Sequence, residues 1–321
     1  MAACSLLAGL VGGTFAAFTA ETASPSNNVT AASDFRAPTI GAAAISRSPT
    51  ATPGHIHQAG TYSVYADVTD TGNPASGVAV VTADVSNVTT ALTTVPMVAG
   101  SYTAGGVSYN YRSPPLVADA ILSEGAKPFS ITAVDSDTNS GTRSDLSVDV
   151  DNTAPTGSDV QSANAGATAG RPEATDTITL TYSEPIDPDS VLSGWDGSAT
   201  SVAVRLTNGL LTVSDTLQVY EPSDTTPLPL GVTDLGRNDY VNGVLGGEIL
   251  RFGATGTPST MTRSGNSITL ALGTASGSGT ALTAVGNGTM SWPPSALATD
   301  RAGNVASIAA ASESGGADKE F

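Results

Sequence analysis

The chain has little of what most enzymes and nucleic-acid-binding proteins are built on. Of its 321 residues one is a cysteine, Cys4, and two are histidines, His55 and His57. A single thiol excludes a disulfide within the chain and a cysteine-ligated metal. Two histidines so close together leave no readable Ser-His-Asp set, and no P-loop, GxGxxG or HExxH occurs. Lys127 and Lys319 are the only lysines, and 12 basic residues face 29 acidic ones for a net charge of −17. Such a chain repels polyphosphate and anionic lipid, which predicts no nucleic-acid partner. Aromatic residues make up 5 %, too few for a sugar cleft paved with rings. No apolar run reaches the ~20 residues a membrane-spanning helix needs, so no membrane span is expected in the mature chain.

What is present is Gly (35 residues), Pro (19) and a hydrophobic share of 40 %. Thr and Val suit strands, while Gly, Asn, Asp and Pro suit turns, and no amphipathic helical pattern of normal length interrupts them. The fold class predicted is all-β. At the N-terminus, Leu6 to Phe18 (LLAGLVGGTFAAF) has the length of a secretory apolar region. Its Gly12-Gly13-Thr14-Phe15-Ala16-Ala17-Phe18 run resembles the leaders of SipW-type signal peptidase substrates, the biofilm-fibre proteins and camelysins. That resemblance implies export and cleavage between Ala17 and Phe18; a site near Ala23 is the alternative. Residues 1–17 are then a signal peptide, 18–37 a flexible lead-in, and the protein is secreted or extracellular. The closing SESGGADKEF carries no wall-sorting motif and no hydrophobic anchor, and 311–321 read as a tail.

Between these ends the chain alternates short strand patterns with turn signals. Strands are expected at 62–70, 78–85, 94–102, 107–112, 128–135 and 145–151, each bounded by Gly, Pro, Asn or Asp. About seven strands in about 115 residues match one Ig-like sandwich, assigned to 38–152. Asp151-Asn152-Thr153-Ala154-Pro155 resembles the junction between bacterial Ig-like modules; Pro155 cannot donate to a ladder and stiffens the join. The second half opens with Thr177 to Tyr182 and continues Ser183-Glu184-Pro185-Ile186-Asp187-Pro188-Asp189. This resembles the SbsA-type Ig-like domain of S-layer and surface proteins, as does Asp300-Arg301-Ala302-Gly303-Asn304. The resemblance implies a second antiparallel Ig-like sandwich, 153–310, in tandem with the first. Its excess over a minimal module lies in Gly194 to Gly246, including Glu221 to Asp239, the best place on this reading for a binding loop.

Few residues invite chemistry. Asp135, Asp137 and Asn139, followed by Asp145, set oxygen ligands at alternate positions and are the candidate Ca²⁺ loop; the plainer reading is a tight hairpin. Asp149, Asp151, Asn152 and Asp70 are candidates for a cation at the module junction. His55 and His57 at i, i+2 on a strand share a face, with no third ligand nearby. Glu184, Asp187 and Asp189 form a carboxylate cluster that, as a pair, suits glycoside hydrolysis, but they fall inside a structural motif. Trp195, between Gly194 and Asp196-Gly197, is a candidate ligand contact for a sugar or partner protein; Trp292 sits on an apolar strand and reads as core. No cofactor other than a structural Ca²⁺ is expected, and no catalytic activity. The function expected is adhesion or assembly at the cell surface or in the extracellular matrix. The partner would be a protein, a glycan or the chain itself; a SipW-exported fibre subunit and a carbohydrate-binding module are the alternatives.

Overall fold

The computed structural model describes residues 34–321 except 73, 210–211 and 244–245. The signal segment 1–17, its cleavage residues Ala17 and Phe18, and the lead-in up to residue 33 lie outside the described residues. The described chain is all-β, with antiparallel sheets in two successive units.

The first unit holds β1 (Thr39–Ser46), β2 (His55–Ile56), β3 (Thr61–Thr69), β4 (Val78–Asp84), β5 (Val95–Pro96), β6 (Val98–Ala104), β7 (Val107–Arg112), β8 (Leu116–Val117), β9 (Gly125–Asp135) and β10 (Ser140–Val150). One sheet runs β1-β3-β7-β6, with β8 on β3; the other runs β2-β10-β9-β4-β5. The period-2 alternation explains why these strands face each other. Tyr62, Val64, Ala66 and Val68 of β3 are buried, and so are Phe129, Ile131 and Ala133 of β9 and Leu146, Val148 and Val150 of β10. Together they form one apolar core between the two sheets. Among the described residues the single parallel pairing is β2 with β10, which places His55 opposite Asp149.

The second unit holds β11 (Gly157–Ala163), β12 (Thr177–Tyr182), the one-turn helix α1 (Pro188–Val191), β13 (Thr200–Thr207), β14 (Thr216–Tyr220), β15 (Pro227–Asp234), β16 (Val241–Asn242), β17 (Ile249–Phe252), β18 (Ser259–Ser264), β19 (Ser267–Ala271), β20 (Ala275–Gly277), β21 (Thr280–Ala281), β22 (Ser291–Trp292) and β23 (Ala311–Ser312). Nine of these follow one path, β11-β12-β19-β18-β13-β14-β15-β22-β23, and β17 and β20 hang from β13. The pivot is β13. Its first three residues pair with β18, and from Ala203 and Val204 onward it pairs with β14 and β17. One continuous sheet thereby wraps around one core. Trp292 sits at its centre, fully buried, with its ring edge-on to Tyr182 at 4.8 Å and its indole N–H donating to the Leu230 carbonyl at 2.6 Å.

Two expectations are corrected here. The excess segment is not a free loop. Leu217, Val219, Leu228, Leu230, Leu235 and Tyr240 from it are buried in the second core. Its hairpin tip is tied down as well, because Arg205 and Arg251 both bind the Asp224 carboxylate, at 2.8 and 2.9 Å. The apolar positions are spaced by two, so a strand buries them where a loop would expose them. Nor do residues 311–321 hang free: Ala311–Ser312 extends the sheet as β23, and Glu320 and Phe321 are buried. Among the described residues no helix is long and apolar enough to cross a membrane.

Candidate functional site: the acidic poles and the module junction

The acidic residues that the sequence singles out are gathered at the ends of the two units, by turn chemistry. At the closing hairpin of the second unit, Asp300 is 2 % exposed and accepts from the Gly303 N–H (2.6 Å), the Asn304 N–H (2.8 Å) and the Asn304 side-chain amide (2.8 Å). The same Asn304 amide also donates to the Asp151 carbonyl at 2.8 Å, so the last turn grips Asp151, and the second unit opens there, two residues before the boundary expected at 153. The first unit repeats this arrangement. Asp135, equally buried, accepts from the Asn139 N–H (2.8 Å) and side-chain amide (2.7 Å), and that amide donates to the Asp34 carbonyl at 3.1 Å.

The repetition extends to three carboxylates. Asp34, Asp70 and Asp135 lie within 4.8 Å of one another by their oxygens, and so do Asp151, Glu184 and Asp300. In each set one residue opens the unit, one follows an early core strand, and one begins the closing turn. This duplication is a signal that was present in the sequence: Asp34-Phe35-Arg36-Ala37-Pro38 matches Asp151-Asn152-Thr153-Ala154-Pro155, and Asp135-x-x-x-Asn139 matches Asp300-x-x-x-Asn304. Asn139 and Asp34 are 105 residues apart in the first grip, while Asn304 and Asp151 are 153 apart in the second, and the inserted strands separate those spacings.

The electrostatics of the two sets differ. In the first, Asp34 is held below the ordinary carboxylate value, chiefly by the Arg36 N–H and also by the Ser76 N–H. In the second, burial first, then the charges of Asp151 and Asp300, push Glu184 up to about 7. One Glu184 carboxylate oxygen is buried without a hydrogen-bond partner.

The predicted Ca²⁺ quartet is only partly brought together, and three of its members are engaged in hydrogen bonds within the turn. Asp137 accepts from the Asp34 N–H, and Asn139 turns both donors on Asp135. Asp145 lies further along β10, at the register shift between Arg143 and Leu146, and is largely exposed and paired with Arg143 at 2.9 Å. The spacing rule failed because β10 begins at Ser140 and carries Asp145 away along an extended strand. At the junction, Asn152 accepts from the Gln58 N–H and donates to the Leu122 carbonyl, so it splices the modules through backbone groups.

Glu184, Asp187 and Asp189 are likewise dispersed. Asp187 opens α1, with Pro188 in the first turn as the sequence predicts, but its carboxylate does not cap the helix. It takes an ion pair from Arg47 of the first unit instead, and its side chain is 2 % exposed. Asp189 accepts from the Gly194 N–H at 2.8 Å. Arg47 also donates to the Arg301 carbonyl, and is thus the pin between the units. Around this pin lies a cleft of about 580 Å³. Pro49, Pro53 and Gly105 line it from the first unit, and Trp195, Arg263 and Arg301 from the second.

Trp195 is only 6 % exposed, and its indole N–H donates to the Ser198 carbonyl at 2.6 Å. It packs into the second core, which leaves too little ring for a sugar to stack on. His57 Nδ1 meets the Gln58 carbonyl at 2.7 Å, and neither histidine joins a group of metal-ligating side chains among the described residues.

No protein-family model matches the chain, and no curated protein matches it significantly. The reading of function therefore rests on the residues themselves.

Proposed function

We propose that this is a secreted, non-catalytic Ig-like protein of the cell surface or extracellular matrix, acting in adhesion or assembly. The observation that carries this reading is the junction. Two β units are joined by the short Asp151–Pro155 link and pinned across it by Arg47, which binds the Asp187 carboxylate and donates to the Arg301 carbonyl. A stiff join between successive units suits a spacer or adhesive stalk. The SipW-like leader, the acidic surface and the SbsA-like motifs support the same reading. In the test, purified mature protein is added to cells of the producing strain and to their matrix. Retention on either is expected; protein that stays monomeric and unbound in the medium contradicts the proposal.

One observation favours self-assembly as the mode. Strand β6 ends its sheet in the order β1-β3-β7-β6, and Val98 on it is 57 % exposed. An open edge of seven residues is a template for another strand. Electron microscopy of the mature protein distinguishes a fibre subunit from a solitary adhesin: fibres that disappear in a Val98→Lys variant are expected for the former.

A further inference from the structure

The third gathering of acids among the described residues belongs to neither repeated set. Glu313, Asp318 and Glu320 bring carboxylate oxygens within 4.8 Å of one another where the chain folds back over the second unit. Among the described residues, none of the ion pairs reaches any of the three. Glu320 is the unusual member, with no exposed surface. Its Oε2 accepts from the Ser162 hydroxyl at 2.6 Å, while its Oε1 is buried with no hydrogen-bond partner. Water would normally satisfy such an oxygen, and burying it bare is costly.

The surroundings hold this carboxylate in place. The Glu320 N–H donates to the Tyr240 hydroxyl at 2.8 Å. Next door, the Phe321 ring packs edge-on to Tyr240 at 5.5 Å, and its N–H donates to the Ser162 hydroxyl oxygen at 3.3 Å. Glu320 therefore cannot swing out to solvent without undoing a packed aromatic pair. The other two carboxylates are placed by backbone pairing. Asp318 and Gly288 exchange N–H···O bonds of 3.1 and 2.7 Å, and Glu313 accepts from the Met290 N–H at 3.0 Å. Asp318 is exposed and Glu313 half-buried, which gives the cluster a path to solvent.

We propose that Glu313, Asp318 and Glu320 form a site for a hard divalent cation, with Ca²⁺ the chemical class that fits. The ligands are carboxylate oxygens alone, the donors that Ca²⁺ prefers and that a soft metal does not. A cation supplies the missing partner of Glu320 Oε1 and offsets three like charges at once. The site also has a structural consequence, because it fastens residues 313–321 to the sheet edge at β22 and β23.

Ca²⁺ binding to the chelator-stripped mature chain, followed by calorimetry, tests the proposal. Wild type is compared with Glu320→Gln and Glu313→Gln, and with Glu184→Gln as a control in a different acid set. The expected result is one Ca²⁺ equivalent lost, or its affinity weakened at least tenfold, in Glu320→Gln and Glu313→Gln but not in Glu184→Gln. Glu320→Gln keeps the side-chain shape and removes a buried charge, so it folds at least as well as wild type in chelator. Two results overturn the proposal. One is wild type that binds no Ca²⁺; the other is Glu320→Gln and Glu313→Gln that bind as many equivalents as wild type with the same affinity. A Glu320→Gln chain that is stabilised while Ca²⁺ has no effect on wild type would show that a proton, not a cation, satisfies this carboxylate.

Discussion

The two units begin and end alike and differ in between. Each opens on Asp-x-x-Ala-Pro and closes on a turn whose Asn grips the opening residue. Yet the first is two separate five-stranded sheets, while the second is one eleven-stranded sheet wrapped around a larger core, with β16 and β21 paired apart from it. The polar grips set the ends of a module, and the apolar middle tolerates inserted strands as long as they bury their alternate residues. The insertion entered the second unit as core, with Leu228, Leu230 and Tyr240 buried, and left the closing turn intact.

The comparison breaks most visibly at Trp292. Nothing in the first core matches its burial against Tyr182 and the Leu230 carbonyl. Trp292→Ala is expected to cost about 3–5 kcal/mol, because a large cavity opens at the centre of the wrapped sheet. Trp195, then the one tryptophan left, reports on the second unit in urea unfolding followed by fluorescence. The midpoint should fall steeply while the first unit's tyrosine signal moves little. Equal loss in both units would mean that they share one cooperative core.

Next in size is Arg47→Ala, which strands the buried Asp187 carboxylate and unpins the join. Removing one partner of a largely buried pair predicts a loss of about 2–3 kcal/mol. Small-angle scattering should also show a wider spread of interunit angles. An unchanged scattering curve would assign the stiffness to Pro155 alone.

A smaller effect separates the two closing turns. The fourth position is Gly303 in one and Thr138 in the other, and both take positive φ, 100° and 71°. A β-branched residue there is strained, whereas glycine is not. Thr138→Gly should stabilise the first unit by roughly 0.5–1 kcal/mol. Gly303→Thr should destabilise the second by more, since a Cβ at Gly303 meets Arg47 at 3.2 Å. Thermal melts of the two variants decide it, and shifts of the same sign would refute the equivalence of the turns.

Much of this was legible in the sequence, and the reasons for the rest are physical. Alternation located β3, β4, β9, β10 and β12 because a sandwich strand buries every second residue. Asp187-Pro188 marked α1 because proline fits a first helical turn. The candidate cation loop went astray at Asp145, since spacing along a chain says nothing about where an extended strand carries the next carboxylate. Trp195 was ambiguous for a related reason: flanking glycines suggest a turn, and only the fold shows the ring tucked beneath it. Arg47 had no local signal, because its partners lie 140 and 254 residues away. The duplicated Asp-x-x-Ala-Pro and Asp-x-x-x-Asn pairs were the missed clue. They become visible when the two halves of the chain are laid side by side.

The least expected effect is in the pH dependence. Glu184 is raised from 4.5 to about 7, so the folded second unit favours its protonated form. The stability linked to this proton is fully present below the ordinary carboxyl range and is lost as pH rises through about 7. In chelator, the second unit of wild type should melt higher at pH 5.5 than at pH 8, with Glu184 and the buried Glu320, itself pushed up to about 8, both contributing, and Glu184→Gln should reduce that difference. A difference that Glu184→Gln leaves intact would move the titration to another group.

The central claim is that an asparagine amide in the last turn closes each unit onto its own first residue. Hydrogen exchange by mass spectrometry on Asn304→Ala tests it most directly. Faster exchange is predicted at 151–156 and 298–306, with 34–140 unchanged. Exchange at 151–156 that stays at the wild-type rate, or that quickens equally through both units, would contradict it.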